Sequence, residues 1–301
     1  MAPQRPSRSD HLDTPPAADP RSALLSGVPV AERTVRCAGV STAVLEGGDG
    51  PPLILLHGPG ESAVNWRWCI PELTTTHRVI APDLPAHGSS DRGSRPLDED
   101  LALDWLDELI DATCPPPAAP PVLVGHVLGG AIAARFAAAR GDRLGHLVLV
   151  DSLGLARFRP SRRFLTAFVR FVARPSEATY TRFMDQCAYD LDALRTEMAG
   201  DWTAFVAYNL ALARSPEAKA AGGLFRRVGI PRIPEATLSR IRVPTTLIWG
   251  RHDRALRLRI AERASERFGW PLHVIEDAAD DPPRDQPEAF LRTLRRVLDP
   301  S

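Results

Sequence analysis

The chain is 301 residues long and 44% hydrophobic, with 37 basic against 37 acidic side chains and a formal net charge of zero. That length buries a large core, as one domain with a sizeable insertion or as two. A zero net charge gives no bulk field toward nucleic acid or an acidic membrane, and no apolar run approaches the length of a membrane span.

In chain order, Met1 to Asp19 contains proline and arginine and lacks the apolar stretch of a secretory signal; this predicts a disordered tail over residues 1–25. Val35 to Leu45 alternates as an edge hairpin does. Leu53–His57 is a continuous apolar run ending in His-Gly, the pattern of a strand buried on both faces. Arg78–Pro82 predicts another short strand, closed by Asp83. Leu101 to Thr113 has helical spacing and is ended by the proline-rich stretch Pro115–Pro121. Strands are predicted at Val122–Gly125, His146–Val150, Thr245–Trp249 and Leu272–Ile275, and helices at Leu256–Phe268 and Gln286–Leu298. Short parallel strands alternating with helices specify an α/β fold, a mostly parallel central sheet covered on both faces.

Between Asp151 and Thr245 lie roughly ninety residues, far more than a crossover needs. They have helical patterns at Arg162–Ala173, Glu177–Asp185 and Trp202–Arg214, which would form a cap over the strand ends, where open α/β sheets bind ligands. The expected division is a core of residues 26–155 and 241–301 with a helical cap at 156–240.

Residues 122–131 read Val-Leu-Val-Gly-His-Val-Leu-Gly-Gly-Ala, a buried strand turning sharply into a small-residue helix. Such an elbow thrusts its middle side chain into a pocket, and that side chain is ordinarily serine. Val127 stands there instead. An isopropyl group has no lone pair for attack and no proton to lose.

Five segments carry a resemblance: His57-Gly58, Asp83-Leu-Pro-Ala-His87-Gly88-Ser-Ser90-Asp91, Gly125–Gly130, Trp249-Gly-Arg-His-Asp253, and Asp280-Asp-Pro-Pro-Arg-Asp-Gln-Pro287-Glu-Ala-Phe290. Over residues 35–298 the chain resembles the α/β-hydrolase fold superfamily. The resemblance implies a nucleophile, an acid and a histidine in that order, which fall here on Val127, Asp253 and Asp280. Only the acid is of the expected type, so the chain looks like a divergent member lacking the elbow serine and the catalytic histidine. The family's oxyanion hole takes one backbone N–H from the residue after the elbow, here Leu128. The other comes from the loop Gly58-Pro59-Gly60; an ungapped reading puts it on Pro59, which has no N–H, and a one-residue shift would supply Gly60.

Asp280 allows two readings. Beside Asp253 it would form a carboxyl pair in which one apparent pKa rises, a competent general acid or base. Alternatively Glu276, Asp277, Asp280, Asp281 and Arg284 form a solvated, outward-turned loop. His126 is expected to pack beside the elbow, and His57, His87 and His252 to belong to scaffold loops. Ser62 and Ser152 are possible displaced nucleophiles without a base motif beside them. Asp83 and Asp151 are expected to brace loops, and Cys187 to act as a small buried hydrophobe. The four scattered cysteines fit reduced thiols in a cytoplasm. Arg157, Arg159, Arg162, Arg163, Arg170 and Arg174 form either the solvent face of an amphipathic cap helix or a lid meeting an anionic substrate or partner.

No Walker-type loop, no Gly-x-Gly-x-x-Gly and no His/Cys cluster at metal spacing is present, so no nucleotide, flavin or metal is expected. The expected site is a capped pocket for a small, largely apolar organic ligand. Asp253 and Asp280 are its catalytic candidates, and Val127, Leu128, Gly58, Pro59, Gly60 and His126 its binding candidates. Three functions fit: a non-hydrolytic lyase, isomerase or cyclase with aspartate-assisted proton transfer, a binding pseudoenzyme, or a hydrolase with relocated catalytic residues.

Overall fold

Leu53 to Leu56 present no polar side chain to water, and the strand they form, β3 (Pro52–Leu56), is buried throughout in the computed structural model, which describes residues 19–298. Around it lie β1 (Ala31–Cys37), β2 (Val40–Gly47), β4 (Arg78–Pro82), β5 (Val122–His126), β6 (His146–Val150), β7 (Thr245–Gly250) and β8 (Leu272–Ile275). They form one sheet in the order β1-β2-β4-β3-β5-β6-β7-β8. The β1–β2 hairpin joins β4 antiparallel, and every other pairing is parallel. Strand periodicity splits the core in two. Ile54 and Leu56 pack on one face with Leu106, Ile132 and Phe136, while Leu53 and Leu55 pack on the other with Ile70, Phe290 and Leu294.

The helix Glu99–Thr113 starts where the Asp98 side chain accepts the Leu101 N–H and packs beside Leu128–Arg140. Arg140 and Arg143 stitch the two helices together through Asp104, Asp107 and Asp111. Between β6 and β7 the chain folds into helices that include Arg162–Ala173, Glu177–Cys187, Leu191–Met198, Asp201–Arg214 and Ala218–Leu224. Several have a small core of their own around Tyr180, Met184, Phe205 and Tyr208. No described helix is long and apolar enough to cross a membrane.

The expected tail over 1–25 needs correction at its end. Residues 1–18 lie outside those described, but Pro20–Leu24 is a helix capped by Asp19. Arg21 is buried, 3.0 Å from both Asp83 and Glu32, and donates to the Tyr208 hydroxyl at 2.7 Å. A five-residue helix is too short to hold itself together; that buried guanidinium anchors it.

Candidate functional site

The elbow keeps its geometry without its serine. Val127 has φ 46° and ψ −99°, a region that costs a β-branched residue about 1–3 kcal/mol. Its N–H donates to the Val150 carbonyl, and its own carbonyl accepts from Ala131 and Leu153, each at 3.1 Å. A Cβ on Gly125 would lie 2.6 Å from the Gly129 carbonyl oxygen, and one on Gly129 2.5 Å from that of Leu56. The turn is therefore tight enough to require both glycines. Leu128 opens the following helix, where its N–H has no intrahelical acceptor.

A cavity of about 700 Å³ lies between the strand ends and the inserted helices. Val127, Pro59, Gly60, His126 and Asp280 line it; Gly58, Leu128 and Asp253 do not. Most of its wall is apolar, with Phe158, Phe164, Phe168, Phe171, Phe183 and Phe205 supplied by the insertion.

Glu61, which the sequence reading passed over, organises the polar end. Its Oε2 accepts the Gly58 N–H at 2.8 Å and lies 3.6 Å from His126 Nδ1. Burial alone would raise the Glu61 carboxyl, but His126 brings it down to about 2. Burial would likewise depress His126, but Glu61 and Asp281 hold it up at about 9. The pair is an imidazolium against a carboxylate. The remaining ring N–H, on Nε2, donates to the Asp280 carbonyl at 2.6 Å, so one histidine fastens the loop after β3 to the loop carrying Asp280. Gly58 has thereby spent its N–H, Pro59 has none, and the loop turns a negative charge toward the cavity.

The solvated-loop alternative for Asp280 is overturned. Only Glu276 and Asp277 of that run are exposed, whereas Asp281 and Arg284 are buried and Asp280 faces the cavity. Arg284 turns inward because three carboxylates surround it: Asp281 at 3.0 Å, Asp285 at 3.3 Å and Asp280 at 3.8 Å. Burial, then the charge of Asp253, pushes the Asp280 carboxyl well above its usual range. Asp253 Oδ1 accepts the Ala255 and Leu256 N–H groups at 2.6 and 2.7 Å, and its carboxyl also meets that of Asp151 through a side-chain hydrogen bond. Behind it, Asp151 accepts the Gly250 N–H at 3.1 Å and is driven well up by burial and by Asp253. Burial thus raises all three carboxyls, Asp151, Asp253 and Asp280, and disfavours their ionising together at this end of the cavity.

The other candidates are held mainly by scaffold contacts. His57 Nε2 accepts the Leu84 N–H at 3.0 Å, so its proton sits on Nδ1 toward the Gly58 carbonyl; burial lowers it to about 3. His87 lines the cavity, is lowered by burial to about 4, and donates from Nδ1 to the Pro85 carbonyl. His252 lies against the Tyr189 ring. Ser62 accepts from the Tyr208 hydroxyl at 2.9 Å, Ser152 donates to the Leu153 carbonyl, and neither lines the cavity. Asp83 accepts the Ala63 and Ser89 N–H groups, bracing two loops. The buried Cys187 thiol is pushed well up by burial.

The Glu61–His126 pair gives stability a defined pH window. A depressed carboxyl contributes above its unfolded value near 4.5 and loses that contribution as pH falls toward about 2. A raised imidazole contributes fully below 6.5 and loses it as pH rises through about 9. Glu61→Gln is therefore expected to lower unfolding free energy most between those two unfolded values, and progressively less as pH rises from 6.5 to about 9. Urea unfolding at a series of pH values checks it; a uniform offset would contradict the pairing.

The pattern defining the "Alpha/beta hydrolase family" matches residues 53–293. The 2-hydroxymuconate semialdehyde hydrolase of Pseudomonas sp. (strain CF600) is 34% identical over 171 residues, 56% of this chain and only 58% of that protein's length. The magnesium-chelatase 30 kDa subunit of Rhodobacter capsulatus is 33% identical over 269 residues, covering 83% of this chain and 80% of that one. Among solved structures, a meta-cleavage product hydrolase from Pseudomonas fluorescens IP01 superposes with a TM-score of 0.72 at 26% identity, over 88% of this chain and 97% of the other.

Proposed function

This chain belongs to the alpha/beta hydrolase family, and from that premise we propose that it binds a small, largely apolar molecule in the capped cavity and transforms it by proton transfer rather than by serine-triad hydrolysis. The observation carrying this reading is the elbow: Val127 occupies the nucleophile's strained backbone position with Asp280, not histidine, on the wall of the same cavity. Two of the three relatives named above are hydrolases, the third a magnesium-chelatase subunit. Against hydrolysis here stand the inert side chain at 127 and the Glu61 carboxylate, held ionised beside the loop that would have to accept an oxyanion.

In this reading residues 156–240 act as the cap on a core of 26–155 and 241–301, in a cytoplasmic protein. Asp280, whose carboxyl is raised by burial and by Asp253, gives its proton to one position of the ligand and, as the resulting carboxylate, takes one back from the carbon next to the carbonyl, so that acid and ligand end with the protons they began with; Asp253 and Asp151 set the affinity of that carboxyl for the proton. Val127 is the unreactive floor. His126, Pro59 and Gly60 shape the polar end, and the phenylalanine wall excludes water and holds the ligand in a reactive shape. Relocation of hydrolysis to Ser62 or Ser152 has little to recommend it, since both hydroxyls are committed elsewhere.

Deuterium exchange at the carbon next to the carbonyl, followed by proton NMR in D₂O over a panel of aryl and alkyl ketones and lactones, tests the reading. The wild type is expected to exchange at least one of them. Asp280→Asn should cut that rate by about two to four orders of magnitude with ligand binding retained, and Val127→Phe should lose binding. Exchange unaffected by Asp280→Asn would sink the assignment. Binding without exchange across the panel would favour a pseudoenzyme.

A further inference from the structure

The helix Arg162–Ala173 has more apolar surface than it buries. Phe164, Phe168 and Phe171 turn inward to line the cavity. Leu165, Val169 and Val172, at i, i+4 and i+7, stay 48%, 53% and 59% exposed, three of the four large exposed hydrophobics found among the described residues. Val172 also lines the cavity, so this outer stripe runs up to its wall.

The same segment concentrates positive charge. Arg157, Arg159, Arg162, Arg163, Arg170 and Arg174 are all exposed, none forms an ion pair, and no acidic residue lies between them. Arg140 and Arg143, by contrast, are matched by Asp104, Asp107 and Asp111. In the groove beside this helix, Asp185, Asp190 and Asp192 lie among Arg162, Arg163, Arg170, Arg182 and Arg195, and Asp192 is taken by Arg195 at 3.3 Å, so arginine remains in excess there. A protein of zero net charge thus carries a local excess of positive charge beside an exposed apolar stripe.

From this pairing we infer that the helix Arg162–Ala173 docks on an anionic phospholipid surface, with Leu165, Val169 and Val172 entering the interface and the flanking arginines meeting headgroup phosphates. A basic amphipathic helix binds in this way, through apolar area plus attraction to anionic lipid. A symmetric contact with a second copy would set six arginines against six, which like-charge repulsion opposes. Lipid satisfies both halves of the surface at once. Docking there brings the phenylalanine-lined cavity to the source of apolar molecules.

Vesicle flotation tests it on the full chain. At low salt the protein is expected to float with vesicles of phosphatidylcholine containing phosphatidylglycerol, weakly with phosphatidylcholine alone, and to be released by high salt. Arg162→Gln, Arg163→Gln and Arg170→Gln together should lower partitioning by about a hundredfold, about fivefold per arginine. Leu165→Ser with Val169→Ser should weaken it on both vesicle types. These positions are exposed, so folding is expected to survive. As an independent reading, Val169→Cys labelled with an environment-sensitive fluorophore should shift to the blue on anionic vesicles, the four native thiols being buried. No flotation, equal flotation on neutral lipid, or a dimer in solution that already shields the label would each overturn the inference.

Discussion

Val127→Ser combined with Asp280→His is expected to raise hydrolysis of short aryl esters by orders of magnitude over the parent chain, because most of what a triad needs is still standing. Position 127 already has the backbone of an elbow, with φ 46° and ψ −99°, and serine sheds the β-branching that makes valine costly there. The backbone at 280 is pinned by the 2.6 Å hydrogen bond from His126 to its carbonyl. Asp253 is anchored by two backbone N–H groups through Oδ1, and its other partner is the Asp151 carboxyl. A histidine at 280 would compete with Asp151 for that carboxylate, the acceptor it needs to fix its tautomer. The restored activity should still fall about two to three orders of magnitude short of a complete site, since Pro59 offers no N–H and that of Gly58 is bound to Glu61. Adding Glu61→Gln should recover part of the deficit by removing the opposing charge. Release of p-nitrophenol from its acetate ester decides the matter. A parent as active as the double variant, or a folded double variant with no activity, would show that the reacting groups lie elsewhere.

Arg284→Leu is expected to be the most damaging single substitution for stability. Its guanidinium is buried against Asp281, Asp285 and Asp280, and removing one partner from a buried ionic cluster costs about 3–5 kcal/mol because the remaining charges stay desolvated. For a chain of this size that corresponds to a fall of about five to eight degrees in melting temperature. The sign with pH is fixed. Asp280 and Asp281 are both raised by burial, so their protonated forms favour the folded state at low pH and their ionisation opposes it as pH rises. Without Arg284 that opposition grows, and the gap between parent and variant should narrow on acidification. Calorimetric melts at acidic and neutral pH measure both quantities; a gap that widens in acid would mean that the guanidinium does not hold these carboxylates.

The strands Arg78–Pro82, His146–Val150 and Leu272–Ile275 and the helix Arg162–Ala173 form with the bounds the sequence predicts, because apolar period and proline or glycine punctuation are local signals. The elbow was legible for the same reason. The polar end of the cavity was not. Glu61 gains its role only when His126, from a different strand, arrives beside it, and nothing near Glu61 in sequence announces that partner. Asp280 misleads for a related reason. A run of acids looks solvated until Arg284 is seen turning inward among them, a choice made by tertiary packing and invisible to composition. The helix Pro20–Leu24 is too brief to leave a periodic trace.

That first helix is a rivet. Arg21 reaches Asp83 at the end of β4, Glu32 on β1 and the Tyr208 hydroxyl on an inserted helix, and Tyr208 continues to Ser62 in the loop after β3. One side chain near the start of the chain thus clasps roof to floor, behind the wall of the cavity. Trimming the protein back to its first strand, a natural economy when the opening residues look dispensable, would unfasten the roof from a distance and alter a pocket that the deleted segment never touches.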